Sequence, residues 1–494
     1  MPPALTIPGA SEGREGETSD GLARGAPSAT GVDADRVVAF LDDLEAAGLE
    51  LHSLMLHRAG KVVAEAWWWP YGPTRPRIMH SLVKSFTSCA VGLAIAEGAF
   101  SLSDKVVSFF PDALPPVVND NLAAMTVEDL LTMRTGHAAE VGGSLWRGID
   151  TSWIAEFFKI PVVSPPGQTF VYSSAASYML AAILFRTTGQ TLHAYLRPRL
   201  FEPMGIRGET WDVGPDGFNP GGNGFTGTTA DVLKLGVLMA QDGVWEGRRL
   251  IPAEWIRTAT RGHADEGRYG YHWRTYPNGA YAALGMFVQM TIVFPEHGAS
   301  LAVTAAIEES DRLTPHVFRH FPAGFRDSPF DGGAADARLA ARLAAIPAVR
   351  RVDTKGIEGD WAQAKGRFKV TPNPLGVREV AFEPSQDALA FRMTDAAGTY
   401  VVTCGREDWI EGRTDIPGRE LHHGYRLGGA PVIASARWRD AATLEMTWIF
   451  AETAFRDTVV CRFDAETVTV DRAVNINSAD RRHPTLVGRR AEAT

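Results

Sequence analysis

His80-Ser81-Leu82-Val83-Lys84-Ser85-Phe86-Thr87-Ser88 sets a serine and a lysine three residues apart at the head of an apolar run. On a helix, positions i and i+3 share a face, so the Lys84 amine is brought to the Ser81 hydroxyl. A free lysine titrates at about 10.4, but burial disfavours its charge and can leave a usable base. A serine hydroxyl is a poor nucleophile until such a base takes its proton. Residues 82–95 are mostly apolar, with Leu82, Val83, Phe86, Cys89, Val91, Leu93 and Ile95, and Glu97-Gly98 then supplies a helix stop. A helix apolar nearly all round belongs in a domain centre. Ser81 opens it, where backbone N–H groups and the helix dipole favour developing negative charge. Ser-x-x-Lys alone recurs by chance roughly once in a chain this long, so its surroundings decide. Of eight lysines, Lys84 alone has a serine three residues before it.

Upstream, the apolar spacing of Val37, Val38, Phe40, Leu41 and Leu44 predicts a helix over 33–47 with Asp33 as N-cap. Two strands, 51–58 and 61–68, form a hairpin across Ala59-Gly60. Downstream, Thr126-Val127-Glu128-Asp129 is a capping box opening a helix over 130–134 that Gly136 stops. Further helices are expected at 174–187 and 192–200, from the Thr228-Thr229-Ala230-Asp231 cap to about 241, and at 314–320. Strands are expected at 269–276, 288–294 and 300–307. A sheet built from both ends of this segment with helices between is an α/β layer arrangement.

Residues 325–335, rich in Gly, Asp and Pro, read as a linker before a short Ala-rich helix. Beyond it only strands are expected, at 367–371, 377–383, 388–394, 400–404, 433–439, 443–450, 458–463 and 467–472. The segment 443–450 alternates, with Leu444, Met446, Trp448 and Phe450 on one face and Thr443, Glu445 and Thr447 on the other. The division expected is a flexible lead at 1–32, an α/β domain at 33–324, a linker and short helix at 325–347, and an all-β barrel or sandwich at 348–494.

The chain of 494 residues, 45% hydrophobic and 22% charged, has the composition of an ordinary soluble globular protein. A net charge of -9 with no basic stripe argues against a nucleic-acid partner. Cys89, Cys404 and Cys461 have neither disulfide nor zinc spacing, and no cofactor is expected. No apolar run reaches transmembrane length, and residues 1–31 lack a charged-then-apolar signal pattern, so no membrane partner and a cytoplasmic location are the expectation.

Three motifs are set aside. Gly9-Ala10-Ser11-Glu12-Gly13 matches a nucleophile elbow without the strand and helix that must flank it. Gly222-Asn223-Gly224-Phe225-Thr226-Gly227 matches a dinucleotide fingerprint with no βαβ unit around it, and reads as a loop. His422-His423 lacks a third metal ligand at useful spacing.

A Ser–Lys site needs a proton relay and an oxyanion hole. Tyr172-Ser173-Ser174 follows Pro165-Pro166-Gly167-Gln168 and precedes a helix, which leaves the tyrosine in a turn with its hydroxyl free to point inward. Tyr281-Ala282-Ala283-Leu284-Gly285-Met286 precedes a strand; Gly285 lets backbone approach a ligand, and the Met286 N–H can face a carbonyl. Taken alone, a packed core tyrosine and a common strand-edge glycine are the simpler readings of these two.

In this order the three motifs resemble the serine β-lactamase-like superfamily: class C β-lactamases, DD-peptidases, family-eight esterases and 6-aminohexanoate-dimer hydrolases. Leu130-Leu131-Thr132-Met133-Arg134-Thr135-Gly136-His137, Phe201-Glu202-Pro203-Met204-Gly205-Ile206 and Pro166-Gly167 resemble it too, over roughly residues 33–322. The resemblance implies a β-lactamase-like domain, an antiparallel sheet flanked by helices with an inserted helical subdomain, followed by a separate all-β accessory domain. It implies Ser81 as acyl-forming nucleophile, Lys84 and Tyr172 jointly as base and relay, and the N–H groups of Ser81 and Met286 as oxyanion hole. Ser174, Ala283 and Gly285 fall at substrate-binding positions, and Trp69, within Trp67-Trp68-Trp69 and Tyr71, is a candidate wall of an acyl pocket.

Two positions depart from the pattern. Ser174 stands where Asn is frequent, and Ala283 stands where the third motif usually begins with a Lys or His that binds a substrate carboxylate. The expectation is therefore a serine hydrolase of small-molecule esters or amides with weak or absent β-lactamase activity, unless Arg268 or Arg274 replaces the cation. An acyltransferase using the same acyl-enzyme and a non-catalytic binding relative stay open, as do the substrate and the oligomeric state.

Overall fold

The computed structural model describes residues 20–143, 145–346, 357, 359–406 and 408–491; the elbow-like motif at 9–13 lies outside them. A six-stranded antiparallel sheet is built from both ends of the first domain. Its strands are β1 (Leu51–Arg58), β2 (Lys61–Trp67), β3 (Arg274–Thr275), β4 (Tyr281–Gly285), β5 (Gln289–Phe294) and β6 (Ala299–Ala305), in the order β2-β1-β6-β5-β4-β3. The β1–β2 turn uses Ala59 at φ 49° and Gly60 at φ 79°, the pair of left-handed residues that a two-residue hairpin requires.

One sheet face is covered by α1 (Ala34–Ala46), which Asp33 caps by accepting from the Asp35 N–H. Val37, Phe40, Leu41 and Leu44 of α1 pack in one buried cluster with Leu54, Leu56, Met290, Ile292, Leu301 and Val303. The other face carries α2 (Val83–Ala96), on which α3 (Ser174–Thr188) packs, and α4 (Thr229–Ala240). Capping boxes at Thr126 and Thr228 form as expected. Gly236 lets α4 lie on the sheet, since a Cβ there would fall 2.4 Å from Thr291 Oγ1.

Several local expectations are corrected. Of the strand expected at 269–276 only β3 is extended, because Gly270 and His272, at φ 61°, turn the chain and send His272 into the core. Residues 281–285, read as preceding a strand, are themselves β4. The helix at 192–200 ends at Leu196 and continues as a π turn, Arg197–Phe201, where Pro198 cannot donate a helical bond. The helix opened by Thr126 is Val127–Leu131 and stops before Met133, at φ 57°. Residues 20–32, expected within the flexible lead, are held: Gly25 N–H donates to the Val62 carbonyl, Val62 N–H to that of Ala23, and Arg24 bridges Asp20 and Glu65.

The helix Gly333–Ala344 packs on α1 through Arg338 to Asp35 and Arg342 to Asp42 and Glu45. Among the described residues ten strands follow and close into a barrel where Gly405 and Arg406 of Thr399–Arg406 pair in parallel with Ser435 and Ala436 of Ala430–Asp440. Phe368, Phe382, Phe391, Trp438, Trp448 and Phe463 fill it. Ile410–Thr414 and Leu486–Arg490 are strands that the sequence reading passed over; both are short, and they carry charged residues at Glu411, Arg413, Arg489 and Arg490.

The barrel docks on the first domain through a largely buried ion pair. Arg456 Nη1 and Nη2 donate to Glu50 Oε1 and Oε2 at 2.7 and 3.0 Å, and His52 Nε2 lies 3.0 Å from the same carboxylate. Burial alone would raise the Glu50 pKa; the His52 hydrogen bond and the Arg456 charge override it and hold the group at about 2. A depressed carboxylate stabilises the fold above its ordinary pKa of 4.5 and loses that contribution as pH falls toward 2. Glu50→Gln is therefore expected to cost about 3 kcal/mol at neutral pH by leaving Arg456 without its counter-charge. The gap in thermal midpoint between the two proteins should narrow as pH falls from 4.5 to 2; a pH-independent gap would count against this pairing.

Candidate functional site

Ser81 lies in a tight turn, His80–Leu82, that feeds directly into α2. The turn begins at His80, whose φ of 49° is left-handed. Ser81 is held from three directions. Met79 N–H donates to the Phe225 carbonyl and Ile78 N–H to that of Glu452, a barrel residue, both at 2.9 Å. On the third side β4 closes in: a Cβ at Gly285 would sit 2.2 Å from the Met79 carbonyl oxygen, so only glycine permits this approach. The Ser81 and Met286 N–H groups have no intramolecular acceptor among the described residues.

Lys84 is 2% exposed and is the second residue of α2. Its Nζ lies 2.9 Å from Ser81 Oγ, 3.2 Å from Ser174 Oγ and 2.9 Å from the Gly222 carbonyl oxygen. A neutral amine has two hydrogens and one lone pair, which match two donations, to Ser174 and Gly222, and one acceptance, from the Ser81 hydroxyl. Burial lowers the Lys84 pKa to about 7; Glu140 opposes the shift and Arg147 adds to it.

Tyr172 stands across Ser81, its ring centroid 5.0 Å from Lys84 Nζ and its hydroxyl facing the Ser81 side chain. Burial pushes the phenol pKa up; the Ser81 contact opposes this and Glu140 adds to it, so the group stays protonated at neutral pH. Ser174 is the first residue of α3, which the Ser173 hydroxyl caps by accepting from Ala176 N–H. His272 is fully enclosed behind this group. Its Nδ1 faces the Leu131 carbonyl, which requires the hydrogen there, so Nε2 accepts from Ser177. Burial lowers its pKa to about 3, and it is neutral.

These residues open into a cleft of about 590 Å³. Near Ser81 its walls are apolar and aromatic: Phe170, Tyr269, Leu284, Met286 and Phe287. Its far rim is ionic and is shared between domains, with Glu308, Glu309 and Ser310 facing Asn477, Ser478 and Arg481 of the barrel. A broader depression of about 880 Å³ on the barrel, around Arg367, Glu379, Glu383 and Arg392, holds only surface ion pairs.

Ser81, Lys84, Tyr172, Ser174, Gly285 and Met286 are thus brought together. Ala283 is buried in the apolar core opposite Thr291 and does not line the cleft. Arg274 lines the cleft but pairs with Asp265, as does Arg268, which lies outside it. Trp69 is a correction: it packs on Trp409, ring centroids 5.2 Å apart, and against Ile433 and Ile449 at the barrel, not in the cleft. His422 is taken up by Asp457 at 2.9 Å. Among the described residues no cluster of three or more His, Cys, Asp and Glu could hold a metal ion, and no helix is long and apolar enough to cross a membrane.

The Gly222 carbonyl, Arg147 and the barrel residues at the rim were missed by sequence reasoning. Backbone groups and loops remote in sequence carry no motif. The glycine-rich run at 222–227 was a signal of a different kind: a Cβ at Gly222 would lie 3.1 Å from Lys84 Nζ, so its lack of side chain serves the lysine.

A family model described as Beta-lactamase matches residues 40–318. A 6-aminohexanoate-dimer hydrolase of Paenarthrobacter ureafaciens is 25% identical over 277 residues, 52% of this chain and 69% of that protein. An uncharacterized protein of Mycobacterium tuberculosis is 24% identical over 229 residues, 36% of this chain and 57% of that protein. Among solved structures, a candidate 6-aminohexanoate-dimer hydrolase from Bacillus anthracis superposes with a TM-score of 0.50 at 17% identity. It covers 61% of this chain and 85% of its own.

The Lys84 environment has a direct readout. With lysines carrying ¹³C-methyl labels, the Lys84 resonance is expected to titrate with a midpoint near 7. A midpoint at the ordinary value of 10.5 would contradict the burial described above.

Proposed function

Because this chain belongs to the beta-lactamase family, we propose that it is a serine hydrolase that cleaves small-molecule esters or amides through an acyl-enzyme on Ser81. The observation that carries the reading is the buried Lys84 amine, 2.9 Å from Ser81 Oγ and brought to about 7. In its neutral form Lys84 takes the hydroxyl proton as Ser81 Oγ attacks the substrate carbonyl carbon. The oxygen that becomes negative is met by two N–H groups, that of Ser81 just before α2 and that of Met286 at the end of β4. Tyr172, protonated at neutral pH, gives its proton to the leaving alkoxide or amine as the bond breaks and takes in its place the one held by Lys84, so that both groups are again neutral. Water then attacks the ester on Ser81, its proton passing to this pair and from it to Ser81 Oγ as the acid departs. The joint presence of nucleophile, neutralised base and relay in one cleft favours this over a non-catalytic binding role.

The aromatic walls suit an apolar acyl group. Amide cleavage agrees with the likeness to a protein named as a 6-aminohexanoate-dimer hydrolase. At Ala283 there is no cation, and Arg274 is already paired with Asp265. A substrate carboxylate therefore lacks the partner that β-lactam recognition uses.

Three outcomes follow. A fluorophosphonate probe should label the wild-type protein and fail to label Ser81→Ala; equal labelling of both would place the nucleophile elsewhere. With a p-nitrophenyl ester, kcat should rise with pH through about 7 as Lys84 loses its proton, and an acid limb centred well below 6 would remove Lys84 as base. Chromogenic cephalosporin turnover should fall below ester turnover by about a hundredfold or more, the scale of losing one charge-assisted anion contact. Efficient cephalosporin hydrolysis would show that another group supplies the missing cation.

A further inference from the structure

The barrel reaches the catalytic turn from behind. Tyr425, buried, lies with its hydroxyl 3.2 Å from His80 Nδ1 and accepts from Arg147 Nη2 at 2.9 Å. Arg147 Nη1 donates to the carbonyl of the neighbouring His423, and its guanidinium lies 3.8 Å from the Tyr425 ring centroid. His80 precedes Ser81 and holds a left-handed backbone that L side chains seldom adopt, so an external partner must keep it there. Its ring is enclosed by Tyr425, His423 and Phe287, with centroids at 5.3, 6.2 and 5.4 Å.

Phe287 is the second link. It follows Met286, is left-handed itself at φ 59°, and belongs to the barrel's buried cluster, 5.7 Å from Phe455. Both N–H groups assigned to the oxyanion site, those of Ser81 and Met286, thus adjoin strained residues, and the same barrel surface clamps both. The Tyr425 hydroxyl joins that surface to the nucleophile's turn.

We propose that the barrel is part of the catalytic apparatus, and that Tyr425 is a positioning residue which, through His80, sets the Ser81 N–H and hydroxyl against the Met286 N–H. This rests on the serine-hydrolase reading. Tyr425 touches no substrate; it fixes the spacing of groups whose effect is felt in the transition state, so its loss lowers kcat and leaves KM.

Tyr425→Phe keeps the ring and removes only the hydroxyl. With a p-nitrophenyl ester, kcat is expected to fall about tenfold with KM within about twofold, the scale of one buried hydrogen bond acting on the transition state. The rate of fluorophosphonate labelling should fall by the same factor. Arg147→Lys, which loses the bridge to both Tyr425 and His423, should give the same signature and serves if Tyr425→Phe fails to fold. Tyr400→Phe, a barrel variant whose hydroxyl meets Asp395, should leave kcat unchanged. The proposal is overturned if folded Tyr425→Phe labels and turns over at the wild-type rate. It is also overturned if the loss sits in KM, or if Tyr400→Phe shows the same loss. A wild-type protein that does not label overturns the hydrolase reading itself; a labelled wild type with an unaltered Tyr425→Phe overturns this inference alone.

Discussion

The burial of one lysine amine is the constraint on which the rest of the site depends. An ammonium held 2% exposed in an apolar core is penalised by several kcal/mol unless it is neutralised or paired. Among the described residues no carboxylate bonds Lys84; its partners are two hydroxyls and a carbonyl, which a neutral amine can satisfy and which cannot compensate a full charge. The fold therefore stabilises the deprotonated form. That form is the one a serine needs beside it, and the helix that carries the lysine is buried accordingly, its Val83, Phe86 and Val91 lying in one core cluster with Leu82 and with Ala175, Ala176 and Met179 of α3.

Closeness is the second demand, and glycine meets it. Gly285 admits β4 to within van der Waals contact of the Met79 carbonyl, and Gly222 brings a carbonyl to the lysine without a side chain in between. Behind these contacts the backbone is left-handed at His80, Phe287 and Val288. Strain of that kind persists only where packing over-determines it. Here the packing comes partly from the barrel, through Tyr425, His423 and Phe455, which makes the second domain a support for the first domain's geometry.

The parts legible in sequence were those with a local cause. Helical spacing placed α1, α2 and α3 within a residue or two, caps at Asp33, Thr126 and Thr228 acted where they were read, and alternation found Thr443–Phe450 to the residue. Ser81 and Lys84 meet through the local geometry of one helix start, whereas Tyr172 and Ser174, some ninety positions on, were joined to them by the resemblance to a known family and not by spacing. What was misread had a remote cause. The aromatic alternation at 269–276 resembled a strand because nothing nearby reveals that His272 is drawn inward by Ser177 and Leu131. Trp69 looked like a pocket wall because its partner, Trp409, lies 340 positions further along the chain. The rim formed by Asn477, Ser478 and Arg481 belongs to the same class: only the closed barrel brings it to Ser81.

The missing cation at Ala283 takes a sharper form in the structure. The position is buried in the apolar core, so a lysine introduced there would need a tunnel to the cleft as well as a charge. The cleft's own arginines are engaged: Arg274 with Asp265, and Arg481 with Glu308. A substrate carboxylate would have to displace an intramolecular carboxylate already in place, gaining one ion pair by losing another, and Glu309 on the same rim adds repulsion. A neutral acyl group pays neither penalty and meets the aromatic wall of Phe170, Tyr269 and Phe287. Under the proposed hydrolase reading, anionic substrates would be disfavoured by two features together, an absent partner and occupied ones, the second contributed in part by the barrel.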